Sequence, residues 1–81
     1  MRLVYNLNTI SEIPELPGVY QYKDRIKKVI YVGKAINLQK RVSSYWQNKQ
    51  YDHKTSLLVK KVNKIIIIPV DNEFEAILLE A

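Results

Sequence analysis

Residues 18–33 read GVYQYKDRIKKVIYVG, and this stretch decides the fold. Val19-Tyr20-Gln21-Tyr22 is a run of aromatic and β-branched residues, the side chains that fit a pleated, half-buried strand. Lys23 to Lys27 is polar and charged, suited to a turn. Lys28-Val29-Ile30-Tyr31-Val32 is a second apolar run, closed by Gly33. A linker this short joins antiparallel strands, because a parallel pair needs a crossover of a dozen or more residues. An antiparallel hairpin is the expected element.

Working outward from the hairpin, Asn37 is placed to cap a helix. Leu38, Val42, Tyr45 and Trp46 then recur at helical spacing and form one apolar face, with Arg41 one turn before Tyr45 on its edge. Trp46 reads as core by this spacing, although Trp46 and Tyr51 are also aromatic enough to stack on bases. Gln47 to His53 is a polar connection, and Asp52 can cap a further helix over about Lys54–Asn63, with Leu58 and Val62 inward and Lys60, Lys61 and Lys64 outward. Ile65-Ile66-Ile67-Ile68 is a third strand whose unbroken β-branched run implies burial on both faces. Pro69 has no N–H for the ladder and belongs at a strand end or sheet edge. Asn72 and Glu75 are spaced as a capping pair for a last helix, with Phe74, Ile77, Leu78 and Ala81 as its apolar stripe.

On the N-terminal side, Asn6 to Gly18 holds Pro14, Pro17 and Gly18 and reads as a lead-in rather than a core element. The expected fold is α+β: a small three-stranded antiparallel sheet flanked by helices, in the order β-β-α-α-β-α. Eighty-one residues make one domain, 1–81. The chain stops inside an expected helix with no C-cap, so an N-terminal fragment of a longer protein is expected.

The charge is unevenly placed. Between Lys23 and Lys64 stand twelve Lys or Arg against Asp24 and Asp52 alone, whereas Arg2 faces six acidic residues outside that stretch. A concentrated basic middle is the footprint of a polyanion binder, with Lys34, Lys40, Arg41, Lys54, Lys60 and Lys61 as candidate phosphate contacts. The chain has no cysteine, which excludes disulfides and thiolate metal sites, and its single histidine excludes a multi-histidine site. No apolar run approaches the length needed to span a bilayer, and the N-terminus lacks a signal-peptide core, so a cytoplasmic protein is expected.

Gly18-Val19-Tyr20 and Tyr31-Val32-Gly33, ten residues apart, then fall into an ordered set with VIYVGKA, NLQKRVSSYW, KTSLLVKKV and NEFEAILLEA. From Pro17 to Ala81 this set resembles the GIY-YIG nuclease family, most of all its excision-repair branch, the N-terminal nuclease domains of excinuclease C subunits. Single-chain excision nucleases and modules fused to exonucleases share much of the pattern.

The resemblance implies a metal-dependent DNA endonuclease of nucleotide excision repair, cutting on the 3′ side of a lesion and leaving 3′-hydroxyl and 5′-phosphate ends. It implies Tyr20, Tyr31, Lys34, Arg41, Tyr45 and Glu80 as catalytic residues, with Glu80 as the protein ligand of Mg2+ (or Mn2+). A hard divalent ion that keeps several waters needs few carboxylates, so one can suffice. Glu80 falls beside the Ile77 edge of the expected helix, with Glu73 two turns earlier as the competing acid. Arg41 suits bidentate phosphate contact. One of the two signature tyrosines would orient or deprotonate the attacking water, with Tyr31 preferred to Tyr20 and the choice between them left open by the sequence. Tyrosine is a weak base near its usual pKa of about 10, and neighbouring cations favour the phenolate. Lys34 would serve as a point charge, and Tyr45 would bond a phosphate or hold Arg41. The implied partners are damaged duplex DNA and, through the rest of the protein, other excision-repair subunits; the domain itself is expected to be a monomer. The competing reading is a basic nucleic-acid-binding module that keeps the fold and has lost the chemistry.

Overall fold

The computed structural model describes residues 1–47 and 52–70. The expected hairpin is present: β2 (Gly18–Lys23) runs antiparallel to β3 (Val29–Ala35), with Tyr20 opposite Gly33 and Tyr22 opposite Tyr31. The strand preceding them in the chain, β1, is Leu3–Tyr5. The β2–β3 turn is organised by Asp24, whose Oδ1 accepts from the backbone N–H of Ile26 at 3.0 Å and of Lys28 at 2.9 Å. Lys27 sits at φ 68°, a left-handed conformation unusual for a residue with a β-carbon. The register shifts between Tyr22 and Lys23, where Lys23 pairs with Val29 and Ile30 is the extra residue of a β-bulge.

β4 (Lys64–Pro69) pairs antiparallel with β2 on one side and with β1 on the other. The sheet order is β1-β4-β2-β3. As the isoleucine run implied, β4 is an inner strand, and Ile65, Ile66 and Ile67 are all buried although they alternate between faces. Pro69 is its last residue, where no ladder donor is lost.

The expectation of three strands is therefore corrected to four among the described residues. β1 has only three residues and no strand signal of its own; pairing with Ile65–Ile67 makes it a strand. The lead-in that follows contains a 3-10 turn at Ile10–Glu12 and buries Ile13.

α1 (Leu38–Gln47) begins where expected: Asn37 Oδ1 accepts from the Lys40 N–H at 3.1 Å. Leu38 and Val42 are fully buried and join Tyr20, Tyr22, Ile65 and Ile67 in one core, against which Tyr45 and Trp46 pack. Burying an aliphatic side chain of this size contributes about 1.5–3 kcal/mol. α2 (His53–Lys61) is capped by Asp52, whose Oδ1 accepts from the Thr55 N–H at 2.7 Å; that bond holds the Asp52 carboxyl below its ordinary range. Leu58 and Val62 face the same core. The expected last helix lies outside the described residues.

Candidate active site

The hairpin register decides which side chains meet. Tyr20, Tyr22, Tyr31 and Gly33 occupy one face of the sheet, the face that α1 covers. Gly33 leaves room for the Tyr20 ring: a β-carbon there would lie 2.5 Å from Tyr20 Cζ and against the Tyr20 hydroxyl. Among the described residues no glycine has positive φ, so Gly33 is needed for close approach and not for an unusual turn.

Tyr20 is buried, yet its hydroxyl has two partners supplied by α1. The Tyr45 hydroxyl lies 3.0 Å away, and Arg41 Nε donates to the Tyr20 oxygen at 3.3 Å. Arg41 and Tyr45 are four residues apart on the helix, so one side chain lies along the other; Arg41 Cζ is 5.5 Å from the centroid of the Tyr45 ring. Arg41 is thus fixed on two sides, by a hydrogen bond and by an aromatic face, while remaining exposed. The bond to Tyr20 raises its pKa further above its ordinary value.

Tyr31 stands at the rim of the same group. Its ring centroid is 6.1 Å from that of Tyr20, 6.0 Å from Tyr22 and 6.3 Å from Tyr45, and it is 38% exposed, against 1% for Tyr20. Of the two signature tyrosines, Tyr31 faces water. Burial, followed by the bond to Tyr20, holds the Tyr45 phenol well above its ordinary pKa, so Tyr45 stays protonated and is not a base.

The expected lysines come from three elements, β3, α1 and α2. Lys34 pairs with Val19 and so starts from the opposite face of the sheet to Tyr20 and Tyr31. Lys40 is exposed on α1 beside Arg41. Lys54, Lys60 and Lys61 are exposed on α2, an element that supplies none of the described side chains bonded to or ring-packed against Tyr20. Lys60 and Lys61 lie in its last turn, where cations complement the helix dipole. Glu80, Glu73, Glu75 and Tyr51 lie outside the described residues.

Two features of the site escaped the sequence. Tyr22 is an inner member of the aromatic group, 5.3 Å from Tyr20, 5.1 Å from Tyr45 and 5.5 Å from Trp46 between ring centroids. Its spacing of two from Tyr20 was the available signal. An open cleft of about 650 Å³ also borders Arg41, lined by Ala35, Ile36, Asn37, Lys40, Arg41 and Ser44.

Among the described residues no group of three or more His, Cys, Asp or Glu could hold a metal. The donors gathered around Tyr20 are phenol oxygens and one guanidinium. Such a set fits an ion that keeps its own water shell, with phenols bonding the waters.

Two tyrosine-bearing tripeptides on one hairpin, with an arginine and a tyrosine from the following helix closing over the first, define a GIY-YIG nuclease domain. The profile described as a UvrC-like GIY-YIG domain matches residues 16–81. The chain belongs to the UvrC-like GIY-YIG domain family. It is 55% identical over 71 residues to the UvrABC system protein C of Methanococcus maripaludis and 54% identical to that of Porphyromonas gingivalis, in each case over 88% of this chain. It spans only 14% and 12% of the length of those two relatives. Among solved structures it resembles the N-terminal endonuclease domain of UvrC from Thermotoga maritima bound to its catalytic divalent cation, magnesium. The TM-score is 0.78 at 36% identity, covering 90% of this chain and 79% of the other. A variant of that domain with one tyrosine replaced by phenylalanine, also bound to its divalent cation, matches with the same TM-score.

Proposed function

We propose that this chain is the strand-incising nuclease domain of an excision-repair protein, hydrolysing one phosphodiester bond on the 3′ side of a DNA lesion. What carries the reading is the convergence of Arg41, Tyr45 and Tyr20 from two elements, with Tyr31 at the open rim. Arg41 grips a non-bridging phosphate oxygen with the guanidinium N–H groups that Tyr20 does not use, and stabilises the charge that builds there. Tyr45 and Tyr20 hold that arginine in place. Tyr31, the exposed tyrosine, orients the attacking water and, as the phenolate, accepts its proton to become the phenol. Glu80 would hold a Mg2+ or Mn2+ ion, which supplies Lewis acidity at the phosphate. Lys34, starting from the other face of an edge strand, acts as a cation at the margin of the site. Lys40, Lys54, Lys60 and Lys61 give sequence-independent contact to the DNA backbone. Lesion choice belongs to the other domains and partner subunits of such a protein, and work on DNA places it in the cytoplasm.

The test is nicking of lesion-bearing duplex by the full-length protein with Mg2+, wild type against Glu80→Gln. The wild type should nick and the variant should bind without nicking. Undiminished nicking by the variant would remove Glu80 from the metal site; a wild type that binds without ever cutting would make the chain a binding module.

A further inference from the structure

The cleft beside Arg41 combines groups that a purely electrostatic phosphate site would not need. Ile36, in the short connection between β3 and α1, is 68% exposed at its mouth. Lys40 lies one helical turn further on along the same wall and Arg41 closes the cleft on the side of Tyr20. Two of the remaining polar groups are engaged: Asn37 Oδ1 caps the helix through the Lys40 N–H, and Ser44 Oγ donates to the Arg41 carbonyl at 2.6 Å. The cleft thus sets two cations and the exposed Ile36 side chain side by side, contiguous with the tyrosine group through Arg41.

Resting on the nuclease reading above, we propose that Ile36 is a positioning residue for the DNA strand. With the phosphate of the nucleotide next to the cut held by Lys40, the Ile36 side chain presses on that nucleotide's base from the groove and loosens its stacking. Apolar side chains inserted at a base step unstack it in this way. Water-exposed isoleucine gains by covering itself against a base, and a loosened nucleotide lets the backbone turn its scissile phosphate toward Arg41.

The experiment uses the full-length protein and a duplex carrying 2-aminopurine, a base that fluoresces when unstacked, immediately beside the cut. Binding without magnesium should raise the fluorescence with the wild type. Ile36→Ala should lose most of that rise and, with magnesium, show a several-fold higher KM with a smaller change in kcat; Ile36→Leu should restore both. A wild type that nicks normally with no fluorescence rise, or an Ile36→Ala variant matching it in fluorescence and KM, overturns the role of Ile36 and leaves the nuclease reading standing. A wild type that never nicks overturns both.

Discussion

Tyr20 lies across the backbone of Gly33, its cross-strand partner, so closely that a β-carbon on residue 33 would sit 2.5 Å from the Tyr20 Cζ atom. The second glycine of the signature thus exists for the first tyrosine. Gly33→Ala should cost about 1–3 kcal/mol, the range for overpacking a filled site. In a Tyr20→Ala background the same change should cost much less, because neighbouring sites couple. Urea denaturation of the four proteins measures this; additive losses would mean that something other than the ring demands the glycine.

Arg41 is exposed but held by Tyr20 and by the Tyr45 ring. Arg41→Ala should lower kcat about 10²- to 10³-fold, as loss of a charge-stabilising donor does. Its unfolding stability should fall by only about 1–2 kcal/mol, the worth of the bond to Tyr20 and the contact with the Tyr45 ring. Arg41→Lys should recover little, because an ammonium cannot bond the Tyr20 oxygen and fork onto phosphate together. Equal recovery by lysine would reduce Arg41 to a point charge.

Tyr22 has a buried hydroxyl with no hydrogen-bond partner among the described residues, and burial pushes its pKa well above the ordinary phenol value. Tyr22→Phe should leave nicking intact and stabilise the protein by about 1 kcal/mol, the lower end of the penalty for an unsatisfied buried group. Tyr22 and Tyr45 both have raised folded pKa values, so their contribution is complete below the unfolded phenol value of about 10 and is lost as pH rises above it. Phenolate absorbance should rise in two stages: the accessible tyrosines first, then these two together with unfolding. A single unresolved stage would contradict their burial.

The left-handed backbone at Lys27 is a local cost in the hairpin turn. It amounts to about 1–2 kcal/mol for a residue with a β-carbon. Lys27→Gly relieves it at an entropic cost of about 0.5–1 kcal/mol. Thermal unfolding should show a net gain of up to about 1.5 kcal/mol, the difference between those two terms. A loss would mean that the lysine side chain itself supports the turn.

The hairpin, the capping by Asn37 and Asp52 and the apolar face of α1 were legible because each rests on a local pattern. So was the burial of Ile65–Ile67 on both faces. β1 was not, because Leu3–Tyr5 carries too short a pattern and becomes a strand only through a partner some sixty residues away, as its pairing with Ile65–Ile67 requires. At the site, Arg41 and Tyr45 could be placed together from helical spacing, and Tyr20 with Tyr31 from the resemblance. The contact between Tyr20 and Arg41 spans two elements and could not be read from either alone. The side of Lys34 could have been: it lies three residues after Tyr31, and an odd separation within a strand reverses the face.

We propose that Glu80 brings a divalent ion to the tyrosine and arginine group. Titration of the isotope-labelled protein with Mn2+ tests it most directly, since the ion broadens the NMR signals of residues nearest to it. Signals of Tyr31, Arg41 and Tyr45 should broaden first at low Mn2+, and Glu80→Gln should abolish the effect. Broadening centred on Asp52 or on Glu12 and Glu15, or broadening at Tyr31 that persists in Glu80→Gln, would contradict it.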